Sequence, residues 1–388
     1  MKKYLNDVIR TIPPSGIRKF FNLANTMEGV VSLGVGEPDF PTPWHIREEA
    51  IYAIEKGRTY YTSNSGLLEL RQGVCDYYAR RFDITGYDAE KNALITVGAS
   101  EAIDLVMRAV LNPGDEVIVL NPSYVSYSPT ITLAGGKAVY INLKEENEFK
   151  LIPEDLEKAI TDKTKMLFIN FPSNPTGGVM SKEDYEKIVP IIKKHDLLVL
   201  SDEIYCELSY GHKFTSIASF DEIKDQVIIL NGFSKAYSMT GWRLGYVLAH
   251  EDIIAAITII HQYTIMCPST ISQYAGIEAI NHGDKDCEIH KESFEQRRNY
   301  IVNGLNKIGL KCHIPQGAFY VFPSIKSTGL TSQEFCEQLI LKEKVAVVPG
   351  NAFGECGEGY IRISYAYSIE EIKIALERME RFLKSLDK

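Results

Sequence analysis

The sequence predicts an α/β protein: a large domain with a mostly parallel seven-stranded sheet sandwiched by helices, and a smaller α+β domain. Between residues 93 and 249, short apolar runs alternate with amphipathic segments, which is typical of a parallel sheet covered by helices on both faces. After about residue 280 the alternation stops, and short strands are separated by helices. The length of 388 residues also favours two domains over one.

Seven apolar runs are predicted as the strands of the large sheet. They cover residues 93–97, 116–120, 137–143, 166–171, 197–200, 227–230 and 245–249.

The chain is predicted to divide into an arm and two domains. Residues 1–44 form an N-terminal arm that joins the small domain, with helices expected at 5–9 and 17–25. Residues 45–280 form the large domain, and residues 281–388 form the small C-terminal domain. A long polar helix at 288–305 links the two domains, and the small domain's strands are expected at 318–322, 345–348 and 360–364.

The composition is that of a soluble globular protein, with 45% hydrophobic and 24% charged residues. A formal net charge of −9, without a long Lys/Arg run, argues against nucleic acid or an anionic membrane as partner. No segment reaches the roughly 20 apolar residues of a membrane span, and the N-terminus lacks a signal-peptide core. The seven cysteines contain no Cys-x-x-Cys pair, which favours reduced thiols and a cytoplasmic location. No metal site is predicted.

The chemistry is predicted to centre on the stretch Ser-Lys-Ala-Tyr-Ser-Met-Thr-Gly-Trp-Arg at 234–243. It follows the strand at 227–230, and ligands of parallel α/β sheets bind beyond the carboxyl ends of strands. Ser234, Lys235 and Arg243 together suit an anionic ligand that also carries a carbonyl group. Pyridoxal phosphate has both features, and its aldehyde condenses with a lysine amine to give a Schiff base.

Other residues that follow predicted strands match the remaining needs of this cofactor. The backbone of Ala99 and Ser100, at a helix start, can bind the phosphate with Ser234 and Arg243. A buried Asp202 would keep the pyridine nitrogen protonated by raising its pKa. The candidates for the ring itself are Asn174 and Tyr205, which can donate to its hydroxyl oxygen, and Tyr124, which can stack on it.

Three motifs carry a family resemblance. Asn-Pro-Thr-Gly at 174–177, Ser-Asp-Glu-Ile-Tyr at 201–205 and the segment 234–245 resemble the pyridoxal-phosphate-dependent aminotransferases of class I/II, which have the type I aspartate-aminotransferase fold. The likeness extends from the Gly-x-Gly-Glu-Pro-Asp segment at 34–39 to Tyr-Ile-Arg-Ile-Ser at 360–364. Within the family, the segments 317–320 and 345–350 are most similar to the archaeal-type aromatic aminotransferases.

The resemblance implies a homodimer with shared active sites, in which Tyr61 reaches the neighbour's phosphate. It implies that Arg362 binds the substrate α-carboxylate with Gly36 and Asn174 beside it. It further implies that an L-amino acid, an aromatic one by this resemblance, transfers its amino group to a 2-oxo acid such as 2-oxoglutarate. Aspartate and N-acetyl-diaminopimelate aminotransferases are alternatives within the family. A C–S β-lyase on the same fold is an alternative of another class, whereas the arm is too short for the DNA-binding domain of a regulator.

Two positions depart from the family pattern. The segment 259–270 lacks the arginine with which many aspartate aminotransferases hold the distal carboxylate of the neighbour's substrate. Tyr60, Thr264 or His261 are the alternative candidates for that contact. Glu101 stands beside the phosphate loop where an uncharged or basic residue is common.

Overall fold

The computed structural model describes residues 2–14 and 27–386 and contains short and long strands that form three sheets. In chain order the strands are β1 (Val31–Ser32), β2 (Ala93–Thr96), β3 (Glu116–Asn121), β4 (Lys137–Asn142), β5 (Thr164–Asn170), β6 (Leu198–Asp202), β7 (Val227–Gly232), β8 (Gly245–Leu248), β9 (Tyr320–Val321), β10 (Val345–Ala346), β11 (Val348–Pro349) and β12 (Ile361–Ser364).

The large sheet has seven strands in the order β2-β8-β7-β6-β5-β3-β4, which confirms the predicted α/β architecture. Only β8 runs antiparallel to its neighbours in this sheet. Side chains alternate between two apolar cores: along β7, Val227 and Ile229 pack on one face, and Ile228 and Leu230 pack on the other. Both faces are therefore buried, as expected for a parallel sheet between layers of helices.

The helices cover this sheet and build the rest of the chain. In chain order they are α1 (Asp7–Thr11), α2 (Trp44–Glu55), α3 (Leu68–Phe82), α4 (Gly98–Val110), α5 (Tyr127–Leu133), α6 (Pro153–Ala159), α7 (Lys182–Lys194), α8 (Phe233–Ala236), α9 (Glu251–Thr264), α10 (Thr270–His282), α11 (Asp284–Lys307), α12 (Ser332–Glu343) and α13 (Ile369–Leu386).

The register of the parallel strands aligns their carboxyl ends. Asn170 of β5 lies opposite Asp202 of β6, and Asp202 lies opposite Leu230 of β7. The segments that leave these three strands therefore start at one edge of the sheet, where side chains distant in sequence can meet.

Residues before and after the large sheet in the chain build a second, smaller region. Its strands form a parallel pair, β1-β10, and an antiparallel sheet, β11-β12-β9. A separate apolar core contains Phe294 of α11, Phe335 of α12 and Phe382 of α13, all fully buried. The same core includes Tyr205, which follows β6, so the two regions pack against each other beside the edge of the large sheet. The predicted limits at residues 44 and 280 stay a prediction.

Several boundaries differ from those predicted. The segment 345–348 is not one strand: Val345 pairs with β1, whereas Val348 pairs with β12, so the chain changes sheets at Val347. The first helix lies at Asp7–Thr11 instead of 5–9, and the helix predicted at 17–25 lies outside the described residues.

The described residues contain neither a membrane-spanning helix nor a cluster of metal ligands. No helix in residues 2–14 or 27–386 is long and apolar enough to cross a bilayer. In the same residues, no group of three or more His, Cys, Asp or Glu side chains is arranged to hold a metal ion.

Candidate active site

A cavity of about 410 Å³ opens at the carboxyl edge of the large sheet. Its lining includes every predicted site residue except Tyr61, and it adds Tyr127 and Tyr320. The predicted residues on the cavity wall are Gly36, Ala99, Ser100, Tyr124, Asn174, Asp202, Tyr205, Ser234, Lys235, Arg243 and Arg362. Side chains from segments far apart in sequence therefore meet in one site at this edge of the sheet.

Lys235 lies on α8, directly after β7, and its amine faces the cavity. Its Nζ donates a hydrogen bond to the carbonyl oxygen of Gly36, at 2.7 Å. Burial, helped by the nearby positive charges of Arg362 and Arg243 and opposed by the attraction of Glu37, lowers the pKa of Lys235 to about 8. At this pKa about a tenth of the amine is neutral, and hence nucleophilic, at pH 7.

Asp202 ends β6 and is buried, with 4% of its surface exposed. Tyr127 Oη donates to its Oδ2 at 2.7 Å, and the Ile204 amide donates to its Oδ1 at 3.2 Å. Burial raises the pKa of Asp202 to about 6 despite these donors. A cation placed beside this carboxylate would be strongly favoured, which is what a protonated pyridine nitrogen provides. Tyr127 was not predicted as a site residue, because it lies between Ser126 and Ser128 in a segment that carries no motif.

The N-terminus of α4 and Arg243 form one wall of the cavity. Helix α4 begins at Gly98, so Ala99 and Ser100 lie in its first turn with backbone N–H groups free of helical partners. Gly98 has φ +73°, and a Cβ there would lie 2.6 Å from Arg243 Nη2. Glycine thus permits both the turn and the close approach of the guanidinium, which together make a cradle for an anion.

Glu101 stabilises the turn that forms this anion cradle. Its Oε2 accepts a hydrogen bond from the amide of Val97 at 2.5 Å, and its Oε1 lies 2.8 Å from Nδ1 of His261 on α9. A carboxylate in the first turn also interacts favourably with the helix dipole. Glu101 therefore holds the strand-to-helix turn and ties α4 to α9.

Arg362, on β12, is almost fully buried at the cavity wall. Its Nη1 donates to Asn174 Oδ1 at 3.0 Å, and its Nη2 donates to the carbonyl oxygen of Gly34 at 2.5 Å. Its Nε is buried and has no hydrogen-bond partner. As a planar cation at the cavity wall, this guanidinium is suited to an incoming carboxylate.

Two aromatic hydroxyls meet in the same cavity. Tyr205 Oη lies 3.0 Å from Tyr320 Oη, and burial raises the pKa of both phenols, so both stay protonated near neutral pH. Tyr124 also lines the cavity, with its ring packed edge-on against that of Tyr127 at 5.6 Å between centroids.

The candidates for a contact across subunits differ in exposure. Tyr61 lies outside the cavity with 78% of its surface exposed, and Tyr60 is 69% exposed. The suggestion that His261 holds a distal carboxylate is wrong, because this side chain has no exposed surface and pairs with Glu101. The hydroxyl of Thr264 donates to the carbonyl oxygen of Ile260 within α9, at 2.8 Å.

Comparison with known proteins places this site in a family. Residues 28–379 match the family described as aminotransferase class I and II, so the chain belongs to that family. It is 51% identical to the putative aminotransferase YugH of Bacillus subtilis strain 168, over 99% of both chains. It is 45% identical to the aromatic-amino-acid aminotransferase 2 of Thermococcus litoralis, over 98% of both chains.

A solved structure agrees with the fold. The aspartate aminotransferase of Thermus thermophilus, determined with maleate, superposes with a TM-score of 0.92 at 36% identity, covering 97% of this chain and 99% of that one. The chain is thus a pyridoxal-phosphate-dependent aminotransferase with the type I fold, as the motifs predicted.

The residues of the cavity fit the family's cofactor. Asp202 is a buried carboxylate with a raised pKa, so a cationic neighbour would stabilise its ionised form. The glycine at position 98 leaves room for an anion cradle. Lys235 has the lowered pKa that a reactive amine requires. When bound, the cofactor supplies an aldehyde that carries the amino group and a pyridine ring that withdraws electrons.

Proposed function

We propose that this aminotransferase takes an aromatic L-amino acid as donor and 2-oxoglutarate as acceptor. The observation that supports an aromatic donor is the distribution of positive charge in the cavity. Among the described residues, the cationic side chains that line it are Lys235, Arg243 and Arg362, and each suits a task common to every donor. None of the three remains for a second carboxylate on the substrate side chain.

The roles of the residues follow from their positions. Arg362 and Asn174 bind the α-carboxylate, and this contact orients the donor so that its α C–H bond faces Lys235. The neutral amine of Lys235 leaves Gly36, takes the proton from the α-carbon as general base, and then returns a proton as general acid. Arg243, Ser234 and the first turn of α4 bind the cofactor's phosphate.

The remaining contacts concern the cofactor ring. When the cofactor is bound, Asp202 would hold its nitrogen, Tyr205 and Asn174 would donate to its hydroxyl oxygen, and Tyr124 would pack against the ring. In this proposal the distal carboxylate of the acceptor is held by neutral donors, because no cation of the described cavity wall is left for it.

A panel of donors tests the substrate proposal. Initial rates with 2-oxoglutarate would be compared for phenylalanine, tyrosine, aspartate and alanine, with product 2-oxo acids identified by mass spectrometry. The proposal expects the aromatic donors to have kcat/KM at least tenfold above that of aspartate. A preference for aspartate would replace the aromatic assignment and would require a cation from outside the described cavity wall.

We propose that the enzyme is a homodimer whose subunits complete each other's sites. The support is a surface rich in exposed apolar side chains, including Tyr61, Ile259 and Tyr263, of which Tyr263 is 85% exposed. Asn64 donates to the carbonyl oxygen of Met266 at 2.9 Å, which ties the loop of Tyr61 to the end of α9 on one face. Exposed patches of this kind mark interfaces, and Tyr61 contributes to the neighbour's phosphate site.

The dimer is tested by placing a charge on this face. Tyr263→Glu is expected to give monomers in sedimentation velocity, with loss of activity because Tyr61 of the partner subunit no longer completes the site. Leu341→Glu, at a 63% exposed position on α12, serves as the matched control and should stay dimeric. Full activity of a strictly monomeric preparation would contradict the proposal.

We further propose a cytoplasmic location and a division of the chain into an arm and two domains. All seven cysteines are free, which suits the reducing cytoplasm and a role in amino acid biosynthesis there. The arm at 1–44, the cofactor-binding domain at 45–280 and the small domain at 281–388 remain the proposed organisation.

A further inference from the structure

Tyr320 is in contact with two side chains that have different proposed tasks. It lies on β9, the strand that pairs with β12, and it is 1% exposed. Its hydroxyl is 3.0 Å from that of Tyr205. Its ring centroid is 4.5 Å from Cζ of Arg362, whose guanidinium also lies 4.8 Å from the ring of Phe353.

We propose that Tyr320 is a positioning residue for this reaction: its hydroxyl directs the proton of Tyr205 toward the cofactor, and its ring fixes the plane of the Arg362 guanidinium. The proposal rests on the proposed roles of Tyr205 and Arg362. Tyr320 comes from the smaller region, and it contacts both Tyr205 on the cofactor side of the cavity and Arg362 on the substrate side.

The direction of the hydrogen bond between Tyr320 and Tyr205 follows from the protons that each phenol carries. A phenol has one proton to donate and can accept a hydrogen bond at the same oxygen. If Tyr205 donates to the cofactor's ring oxygen, the short contact with Tyr320 requires that Tyr320 donate to Tyr205. Such a donated bond polarises Tyr205 and makes it a stronger donor. Both phenols are buried, so water is a poor substitute for this partner.

The position of the Tyr320 hydroxyl is fixed by the backbone at Gly36. A Cβ at Gly36 would lie only 2.3 Å from Tyr320 Oη, so the phenol packs directly on this glycine. The carbonyl oxygen of the same glycine accepts the hydrogen bond from Lys235. Tyr320 thus touches the backbone on which the reactive amine rests, and its ring has no room to move toward the glycine.

The ring of Tyr320 contacts the guanidinium of Arg362. A planar cation stacked on an aromatic face is attracted to it and held in orientation. Arg362 must keep its donors directed into the cavity to bind a carboxylate in a defined pose. Phenylalanine at position 320 would keep this contact, whereas leucine would remove it, so the two tasks can be separated by substitution.

The hydroxyl task is tested by spectroscopic titration of the bound cofactor. Holoenzyme would be titrated from pH 5 to 10, and the midpoint of its visible absorbance change would be compared with that of Tyr320→Phe. Because a donor to an ionised oxygen favours ionisation, the variant's midpoint should move upward by about half a unit to one unit. In a Tyr205→Phe background, the same substitution should produce no further shift.

Controls separate this effect from general damage. Tyr365→Phe removes another buried phenol of the same region, whose hydroxyl donates to the carbonyl oxygen of Ala318, and it should leave the midpoint unchanged. An unshifted midpoint in Tyr320→Phe, or an equal shift with and without Tyr205, would overturn the hydroxyl role. If wild-type protein showed no cofactor band bound through Lys235, the proposed function would fail, which is a distinguishable result.

The ring task is tested by comparing KM with kcat. Tyr320→Phe should keep the KM for the preferred donor within about twofold, whereas Tyr320→Leu should raise it about tenfold or more. Equal KM values for the two variants would overturn the ring role. Circular dichroism and retained cofactor binding by Tyr320→Leu would show that this variant folds.

Discussion

Replacing Arg362 by lysine isolates the value of the guanidinium fork, because the charge is kept while the fork is lost. Arg362 makes two hydrogen bonds, to Asn174 and to the carbonyl oxygen of Gly34, and has a third donor, Nε, without a partner. A lysine amine cannot present parallel donors to a carboxylate from this strand, and it cannot stack on Tyr320 in the same way.

The expected loss follows from the burial of the site. Hydrogen bonds to charged groups contribute about 1.5–3 kcal/mol each, and Arg362 is only 3% exposed, so water replaces a lost donor poorly. Losing one such bond to the α-carboxylate should cost at least ~2 kcal/mol of transition-state stabilisation, or about 30-fold in kcat/KM. The loss should be similar for aromatic and acidic donors, because both carry the same α-carboxylate.

The assay compares kcat/KM of wild type and Arg362→Lys with phenylalanine and with aspartate, at saturating 2-oxoglutarate. The cofactor's absorbance should remain, since Arg362 lies on the substrate side of the cavity. Arg381→Lys, on the exposed face of α13 with a salt bridge to Glu343, is the control for a generic Arg-to-Lys change. Near-normal kcat/KM, or a loss confined to one donor class, would refute the assignment.

Three further predictions concern buried ionisable groups. Lys235→Ala should abolish turnover and the borohydride-reducible link to the cofactor, seen by intact mass, whereas exposed Lys213→Ala should change neither. In the apoenzyme, labelling of Lys235 by an amine reagent, followed by peptide mapping, should reach half its maximal rate near pH 8, because burial lowers its pKa to about 8; a midpoint above pH 10 would contradict this. Burial raises the pKa of Glu203 to about 7, so between pH 4.5 and 7 the folded state keeps a proton that the unfolded state has lost, and stability falls as pH rises through this window. Relative to wild type, Glu203→Gln should therefore gain up to ~3 kcal/mol of unfolding free energy between pH 4 and 8, measured by urea denaturation at both pH values; an unchanged difference would argue against it.

The large sheet and most of the site could be predicted because both follow from local patterns. Apolar runs of four to seven residues identify buried strands, and ligands of parallel sheets bind beyond their carboxyl ends. Asp202 and Lys235 lie within a few positions of the ends of such runs, and Arg362 alternates with two isoleucines on a strand. These positions require no knowledge of which distant segments meet.

The residues that were missed depend on contacts between segments far apart in the chain. Tyr320 meets Tyr205 across 115 positions, and Tyr127 meets Asp202 across 75. Tyr320 lies among apolar neighbours, like an ordinary core residue, and Tyr127 lies between two serines in a segment without a motif. The break of the segment 345–348 into two strands has a similar cause, because its two halves pair with different sheets. Periodicity shows which face a side chain takes but not what lies opposite that face.

The end of β6 shows how alternation on one strand separates two carboxylates by task. Asp202 and the next residue, Glu203, are both buried, and burial raises the pKa of each, to about 6 and about 7. Glu203 accepts hydrogen bonds from the hydroxyls of Ser201, Ser216 and Tyr78, which satisfy it within the protein.

Asp202 has fewer protein donors and lies on the cavity wall, so its charge is the one left to be balanced by a ligand. The pKa of Asp202 has risen by about two units. Its ionised form is therefore less stable in the folded protein than it would be on an exposed side chain. A cation bound next to Asp202 reverses this effect, whereas a neutral ring does not. The carboxylate therefore selects for a protonated pyridine ring, which is the form in which the ring withdraws electrons from the reacting carbon.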